Sequence, residues 1–241
     1  VYGLTAVDMI AKENDLVIDS FEDAKILTAM IVDGKKVELV SDFPDIQIDK
    51  YMGVRKKTGS QGHIEVEGFT GTADNTTTKP DGIIDITYKV RSHDIPYASL
   101  IPKSIVLGIG ARRDTPYESI EAYVKEVLED RKINIKAIAA IASIDLKKDE
   151  KGIIDLAKEL KVPFITYTCD RLLEVEDLFD ASDFVRKITG VGGVCEPSGY
   201  LASGKGKCLC KKQAKDGMTL SVWELKQSIE GKEKEGKNGG R

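Results

Sequence analysis

At 241 residues, with 36 lysines and arginines against 40 aspartates and glutamates (net charge −4) and 41% hydrophobic residues, the chain can build one large domain or two small ones. That composition excludes wholesale disorder. It offers neither the ~18-residue apolar run of a membrane span nor the basic stripe of a nucleic-acid binder, so neither partner is expected. No signal-peptide pattern opens the chain, and a cytoplasmic protein is expected.

Composition changes near Ser99–Ser104. Before it, 5–12 and 21–31 space their apolar residues three and four apart, as short amphipathic helices do. Ser20, three residues before Asp23, gives the second a capping-box-like start. Residues 37–40 and 83–90 are rich in β-branched residues and read as strands. Between them, Gly53 to Gly82 is glycine-, threonine- and lysine-rich, with Thr76-Thr77-Thr78, and suggests hairpins. The first half therefore reads as a small α+β domain over 1–100.

The second half alternates. Residues 104–110 form a short apolar run ending in glycines. A helix is predicted over 117–131, with Ile120, Tyr123, Val124, Val127 and Leu128 on one face. Residues 138–144 are apolar without alternation, as in a strand buried on both sides. A helix at 153–160, a strand at 163–167 and helices near 184–188 and 195–202 follow. Strand–helix–strand alternation at these lengths predicts an α/β fold, a mainly parallel sheet flanked by helices, over 101–226. Residues 207–212 and 218–225 around Asp216-Gly217 predict a C-terminal β-hairpin. From Gln227 to Arg241 glycine, lysine and glutamate dominate, the signature of a flexible tail or linker.

None of the cysteines Cys169, Cys195, Cys208 and Cys210 lies in a C-x-x-C pair, and neither His63 nor His93 has an i,i+4 partner. No protein metal site is expected. Cys208 and Cys210, two apart on a strand, are expected on one face.

Three segments can carry chemistry. Gly108-Ile109-Gly110-Ala111-Arg112-Arg113-Asp114-Thr115 lies where a strand gives way to a helix, the edge at which open α/β sheets bind ligands. Gly108 and Gly110 would let backbone approach a ligand, and Arg112 and Arg113 can fork onto carboxylates or phosphates. Without the third glycine of G-x-G-x-x-G, dinucleotide binding has little support. The second segment, Ala142-Ser143-Ile144-Asp145-Leu146-Lys147-Lys148-Asp149-Glu150, sets a hydroxyl, a carboxylate and amines at the next strand end. Asp145 is there a general base, a helix cap or an arginine's partner; Asp149 and Glu150 read as first-turn acids. The third, Gly190-Val191-Gly192-Gly193-Val194-Cys195-Glu196-Pro197-Ser198, is a glycine loop feeding a helix, whose N–H groups suit an anion. Glu196 is either functional or dipole compensation, and Cys195 lacks a nearby histidine to make it a nucleophile. Residues 199–206 nearly spell a P-loop, but Gly206 replaces the required hydroxyl and the stretch runs from helix to strand.

Jointly, Gly108–Arg113, Ala142–Lys147 and Gly190–Pro197 resemble the C-terminal domain of the cobalt-precorrin-5A hydrolase (CbiG) family of cobalamin biosynthesis, shared with CobE proteins. The likeness runs from about Ser104 to Leu225, and residues 1 to about 100 resemble the family's central region. The family often has Cys and Gly where this chain has Ala111 and Asp114. Its N-terminal domain has no counterpart here, and a chain opening on Val1 is expected to be an excised piece.

The resemblance implies an enzyme of the anaerobic pathway, a hydrolase acting on carbon–carbon bonds. It would open the δ-lactone of cobalt-precorrin-5A and release acetaldehyde, giving cobalt-precorrin-5B. No cofactor is implied, since cobalt arrives inside the substrate. The N-terminal domain and a fused or neighbouring corrin methyltransferase are the implied partners, and the piece without that domain is expected to need it for activity. The expected catalytic carboxylate, orienting water toward the lactone carbonyl, is Asp145 or Glu196. Gly108, Gly110, Arg112, Arg113, Asp114, Thr115, Ser143, Lys147, Gly190, Gly192, Gly193, Val194 and Cys195 are expected to bind substrate. A non-catalytic corrinoid carrier and a nucleotide-binding regulatory domain are the competing classes.

Overall fold

The computed structural model describes residues 6–43, 46, 56–58, 64–66 and 79–226. The expectations for His63, Thr76–Thr78, most of 53–82 and the tail 227–241 lie outside them.

The first half contains α1 (Ala6–Glu13), β1 (Leu16–Ile18), α2 (Phe21–Val32), β2 (Val37–Ser41), β3 (Lys56–Thr58), β4 (Ile64–Val66), β5 (Gly82–Ile86) and β6 (Tyr97–Pro102). The Ser20 hydroxyl caps α2 by accepting from Asp23 N at 3.2 Å. The strands form one mixed sheet in the order β1-β6-β5-β2-β4-β3, with β2, β5 and β6 parallel. β3 and β4 pair antiparallel, a hairpin within the glycine-rich stretch.

The strand expected over 83–90 stops at Ile86. Thr87 Oγ1 accepts from Lys89 N and donates to Asp42, which turns the chain away from the ladder. Val90 N then donates to Lys132 O, and Lys89 bridges Ile133, so this turn fastens the first half to the second. The composition change near Ser99–Ser104 straddles the end of β6, the third parallel strand of the first sheet.

The second half comprises β7 (Ile105–Ala111), α3 (Tyr117–Asp130), β8 (Ile138–Ile144), α4 (Lys151–Glu159), β9 (Phe164–Tyr167), α5 (Cys169–Leu173), α6 (Asp183–Thr189), α7 (Cys195–Ala202), β10 (Lys207–Lys215) and β11 (Met218–Glu224). Its sheet runs β10-β11-β7-β8-β9, with β7, β8 and β9 parallel and the β10–β11 hairpin added antiparallel. The hairpin turns on Asp216 (φ 50°) and Gly217 (φ 81°), both left-handed, as a two-residue turn between right-twisted strands requires. This is the α/β class expected, a mainly parallel sheet with a C-terminal hairpin.

β7 explains the layering. Ile105, Leu107 and Ile109 face α3 and α4 in an apolar core that continues through both sheets. Val106, Gly108 and Gly110 face the opposite side, where α7 packs on β7, β8 and β11. On that side Trp223 is wedged against Phe179, Tyr200 and Gly199.

Cys208 and Cys210 do not share a face. A bulge between them pairs Cys208 with Trp223 and Cys210 with Val222, adjacent residues that point to opposite sides of β11. All four cysteines are free thiols. Among the described residues no helix is long and apolar enough to cross a membrane.

Candidate functional site at the carboxyl edge of the second sheet

The ends of β7 and β8 and the glycine loop before α7 meet at one sheet edge. Val191 and Val194 pack on Ile144, the last residue of β8, and Val194 lies opposite Gly110. Asp114, with a left-handed φ of 59°, turns the chain after β7 in a conformation that favours glycine. Its N–H donates to Glu150 Oε2 at 3.0 Å.

Glu150 is the hub of this edge. Its Oε1 accepts from Lys147 Nζ at 2.9 Å and lies 3.9 Å from Arg113 Nε. Burial pushes its pKa up, but the Lys147 and Asp114 hydrogen bonds and the Lys147 and Arg113 charges outweigh that and leave it lowered. As a first-turn acid in the sequence, Glu150 gives no sign of this role; only the fold brings Asp114 beside it. Thr115 Oγ1 donates to Arg112 O and stiffens the same turn.

The glycine loop also holds an internal carboxylate. Gly192 N donates to Glu176, whose other oxygen lies 3.0 Å from Arg186 Nη2. Gly190 (φ 83°) ends α6 in the left-handed conformation. The N–H groups of Gly193 and Val194 meet no protein acceptor among the described residues.

Five of the expected binding residues, Gly108, Ser143, Gly192, Val194 and Cys195, are buried. A Cβ on Gly108 would come 1.8 Å from Cys195 O, so this glycine admits α7, not a ligand. Ser143 Oγ donates to Ile109 O at 2.7 Å, joining β8 to β7. Cys195 is 1% exposed, and burial pushes its thiol up to about 12, which leaves it an unreactive core residue.

Glu196 is buried and accepts from Lys212 N at 3.2 Å, bracing β10. Asp145 follows β8, on which α7 packs, and no hydrogen bond joins its carboxylate to that of Glu196 among the described residues. Asp145 differs from the exposed, also unpartnered Asp114 and Asp149 by its burial. It is half-buried, and its carboxylate has no hydrogen-bond or ion-pair partner among the described residues.

Arg112 is exposed and, like Asp145, without an ion-pair partner among the described residues. With Arg113 it borders a hollow of about 460 Å³ between the β7 end, α3 and the β10–β11 tip. This hollow opens on the α3 side of the sheet, whereas the glycine loop lies on the α7 side.

A second polar cluster, unforeseen in the sequence, closes the carboxyl edge of the first sheet. Asp85, wholly buried within β5, receives Arg91 Nη1 at 3.2 Å and His93 Nε2 at 2.9 Å. Arg91 Nη2 reaches Asp42 Oδ2 at 2.5 Å. Burial raises the Asp42 pKa, but the Arg91 and Thr87 hydrogen bonds with the Arg91 and Lys89 charges leave it lowered. The only sequence signal was an aspartate inside an otherwise β-branched strand.

A charged edge on a mainly parallel sheet beside a second mixed sheet defines an α/β protein. The central-region model of cobalamin biosynthesis matches residues 5–102, and the cobalamin synthesis G C-terminus model matches residues 105–223. The chain belongs to the cobalt-precorrin-5A hydrolase (CbiG) family. It is similar to cobalt-precorrin-5A hydrolase of Salmonella typhimurium, 31% identical over 226 residues that cover 92% of this chain and 61% of that protein. The same-named protein of Priestia megaterium is 32% identical over 121 residues, covering 50% of this chain and 32% of its own. Protein CobE of Sinorhizobium sp is 30% identical over 102 residues, covering 42% of this chain and 66% of that one. The chain thus spans under two thirds of both hydrolase relatives.

Proposed function

We propose that this chain forms the central and C-terminal parts of a cytoplasmic cobalt-precorrin-5A hydrolase, which opens the substrate's δ-lactone and releases acetaldehyde to give cobalt-precorrin-5B. Cobalt enters as part of the substrate, and the N-terminal part present in relatives completes the enzyme. Residues 1–100 and 101–226 act as two domains, with 227–241 as a tail.

The observation that carries the reading is Asp145. A half-buried carboxylate with no partner among the described residues is free to hold water, while its neighbours Glu150 and Glu176 are already engaged. In this reading Asp145 accepts a proton from water as its oxygen attacks the lactone carbonyl carbon. The unpartnered N–H groups of Gly193 and Val194 at the start of α7 donate to the developing oxyanion. Arg112, Arg113 and Lys147 supply positive charge for the carboxylate arms of the macrocycle. The ring oxygen then leaves as a hydroxyl, taking the proton from Asp145. When that hydroxyl gives up its proton to water and becomes the carbonyl of acetaldehyde, the carbon–carbon bond to the macrocycle breaks and leaves its electron pair on the macrocycle.

The test is acetaldehyde release from cobalt-precorrin-5A by this chain joined to the N-terminal part found in relatives. Asp145→Asn should lower release about 100-fold while Glu196→Gln keeps it. Undiminished release by Asp145→Asn would remove the aspartate from the mechanism. A non-catalytic corrinoid carrier is the second reading, suggested by the similarity to protein CobE over 102 residues. Stoichiometric corrinoid binding without any turnover would select it.

A further inference from the structure

We propose that the hollow beside the β10–β11 tip is a subsite for one carboxylate arm of the ligand, with Arg112 and Lys215 as its recognising cations. This deepens the corrinoid reading and rests on it for the ligand's identity, though not for the chemical class of the group bound. The sequence drew attention to the arginines but gave no reason to include the hairpin.

The tip is shaped around Arg112. Its N–H donates to Gly217 O at 3.1 Å, and its side chain lies across Gly217. A Cβ there would come 2.4 Å from Arg112 Nε, so the bare glycine fixes where the guanidinium rests. That guanidinium has no carboxylate partner among the described residues, although acids outnumber bases in the chain.

Across the hollow, Lys215 pairs with Glu126 of α3. Both side chains are about half exposed, and such a pair is weak enough to exchange partners readily. Glu126 therefore keeps Lys215 extended along the hollow and yields it to an incoming carboxylate. Pro116, Met218 and the Tyr123 ring give the hollow apolar walls, which strengthen a charge-assisted hydrogen bond made against them.

Volume and charge narrow the ligand. At about 460 Å³ the hollow lies in the lower part of the range for small-molecule sites, room for an arm and the ring edge that bears it. Arg112, Arg113 and Lys215 face Glu126 and Asp216, leaving one net positive charge. That matches a singly charged carboxylate better than a phosphate dianion, which also seeks a nest of free N–H groups.

The experiment measures binding of cobyrinic acid, a cobalt-corrinoid polycarboxylate, its fully methyl-esterified form, citrate and inorganic phosphate to the full chain by calorimetry. Cobyrinic acid should bind at least tenfold more tightly than the ester. Arg112→Gln and Lys215→Met should each weaken it tenfold or more with unchanged melting, and Arg112→Lys should weaken it less. Glu126→Gln should tighten it about twofold to fivefold by freeing Lys215, an effect that a purely structural ion pair would not give. Equal binding of acid and ester, wild-type affinity in both cation variants, or phosphate binding as tight as citrate would each overturn the subsite. If cobyrinic acid fails to bind while citrate binds and loses affinity in Arg112→Gln, the subsite stands and the corrinoid reading falls. If neither binds, the subsite falls as well.

Discussion

The two sheets of this molecule each gather charge at their carboxyl edge, and they use it differently. On the first sheet, Asp85, Arg91, His93 and Asp42 satisfy one another, and the aspartate at the centre is wholly buried. On the second, Glu150 and Glu176 are engaged while Asp145 and Arg112 have no partner among the described residues. A closed set of charges holds loops in place, whereas an open set is available to a ligand. The first edge therefore reads as a fastening and the second as a site.

Breaking the fastening should have the largest effect. Removing one member of a buried pair strands the other, at a cost of about 3–5 kcal/mol. Asp85→Asn should lower stability on that scale in urea unfolding, and an unchanged midpoint would show that the first edge is not closed. Opposite behaviour is expected of Asp145→Asn: acetaldehyde release falls about 100-fold, while stability stays within about 0.5 kcal/mol. A loss of stability there would move Asp145 into the fastening class.

Gly108→Ala tests the packing that carries the second edge. Its Cβ would overlap Cys195 O, so α7 must shift, at about 1–3 kcal/mol. Melting should drop, and substrate binding should weaken with it because the glycine loop moves too.

Acid gives a smaller, graded test. The pKa of Asp42 is lowered below its ordinary 3.8, so its contribution to stability is complete above that value and disappears as pH falls through the lowered one. The gap in urea midpoint between wild type and Asp42→Asn should be widest at neutral pH and close in strong acid. A gap independent of pH would mean that Asp42 acts by packing alone.

Much of this was legible in the sequence. The run 138–144 is β8, and the apolar face read for 117–131 is the buried face of α3. Those elements declare themselves because burial on both faces, or on one helical stripe, is written into the local pattern. β1 escaped because three residues carry no period, and β6 because its residues lie where the composition changes. The same-face expectation for Cys208 and Cys210 assumed regular pleating, and the bulge adds a residue. The motifs led to the second edge, but which glycines face α7 and which carboxylates are engaged depends on contacts between distant segments. Glu150 meets Asp114 across 36 positions, and Lys215 meets Glu126 across 89. No local pattern encodes such meetings.

Trp223 is the chain's single tryptophan, 4% exposed, with its indole N–H given to Ser221 Oγ at 2.9 Å and its ring set against Tyr200 and Phe179. Ser221 Oγ in turn donates to Cys195 O, where α7 begins. The molecule thus carries a native fluorophore seated on the joint between α7 and the sheet. A red shift of its emission would register that joint loosening, and separate it from unfolding of the first half, without any label.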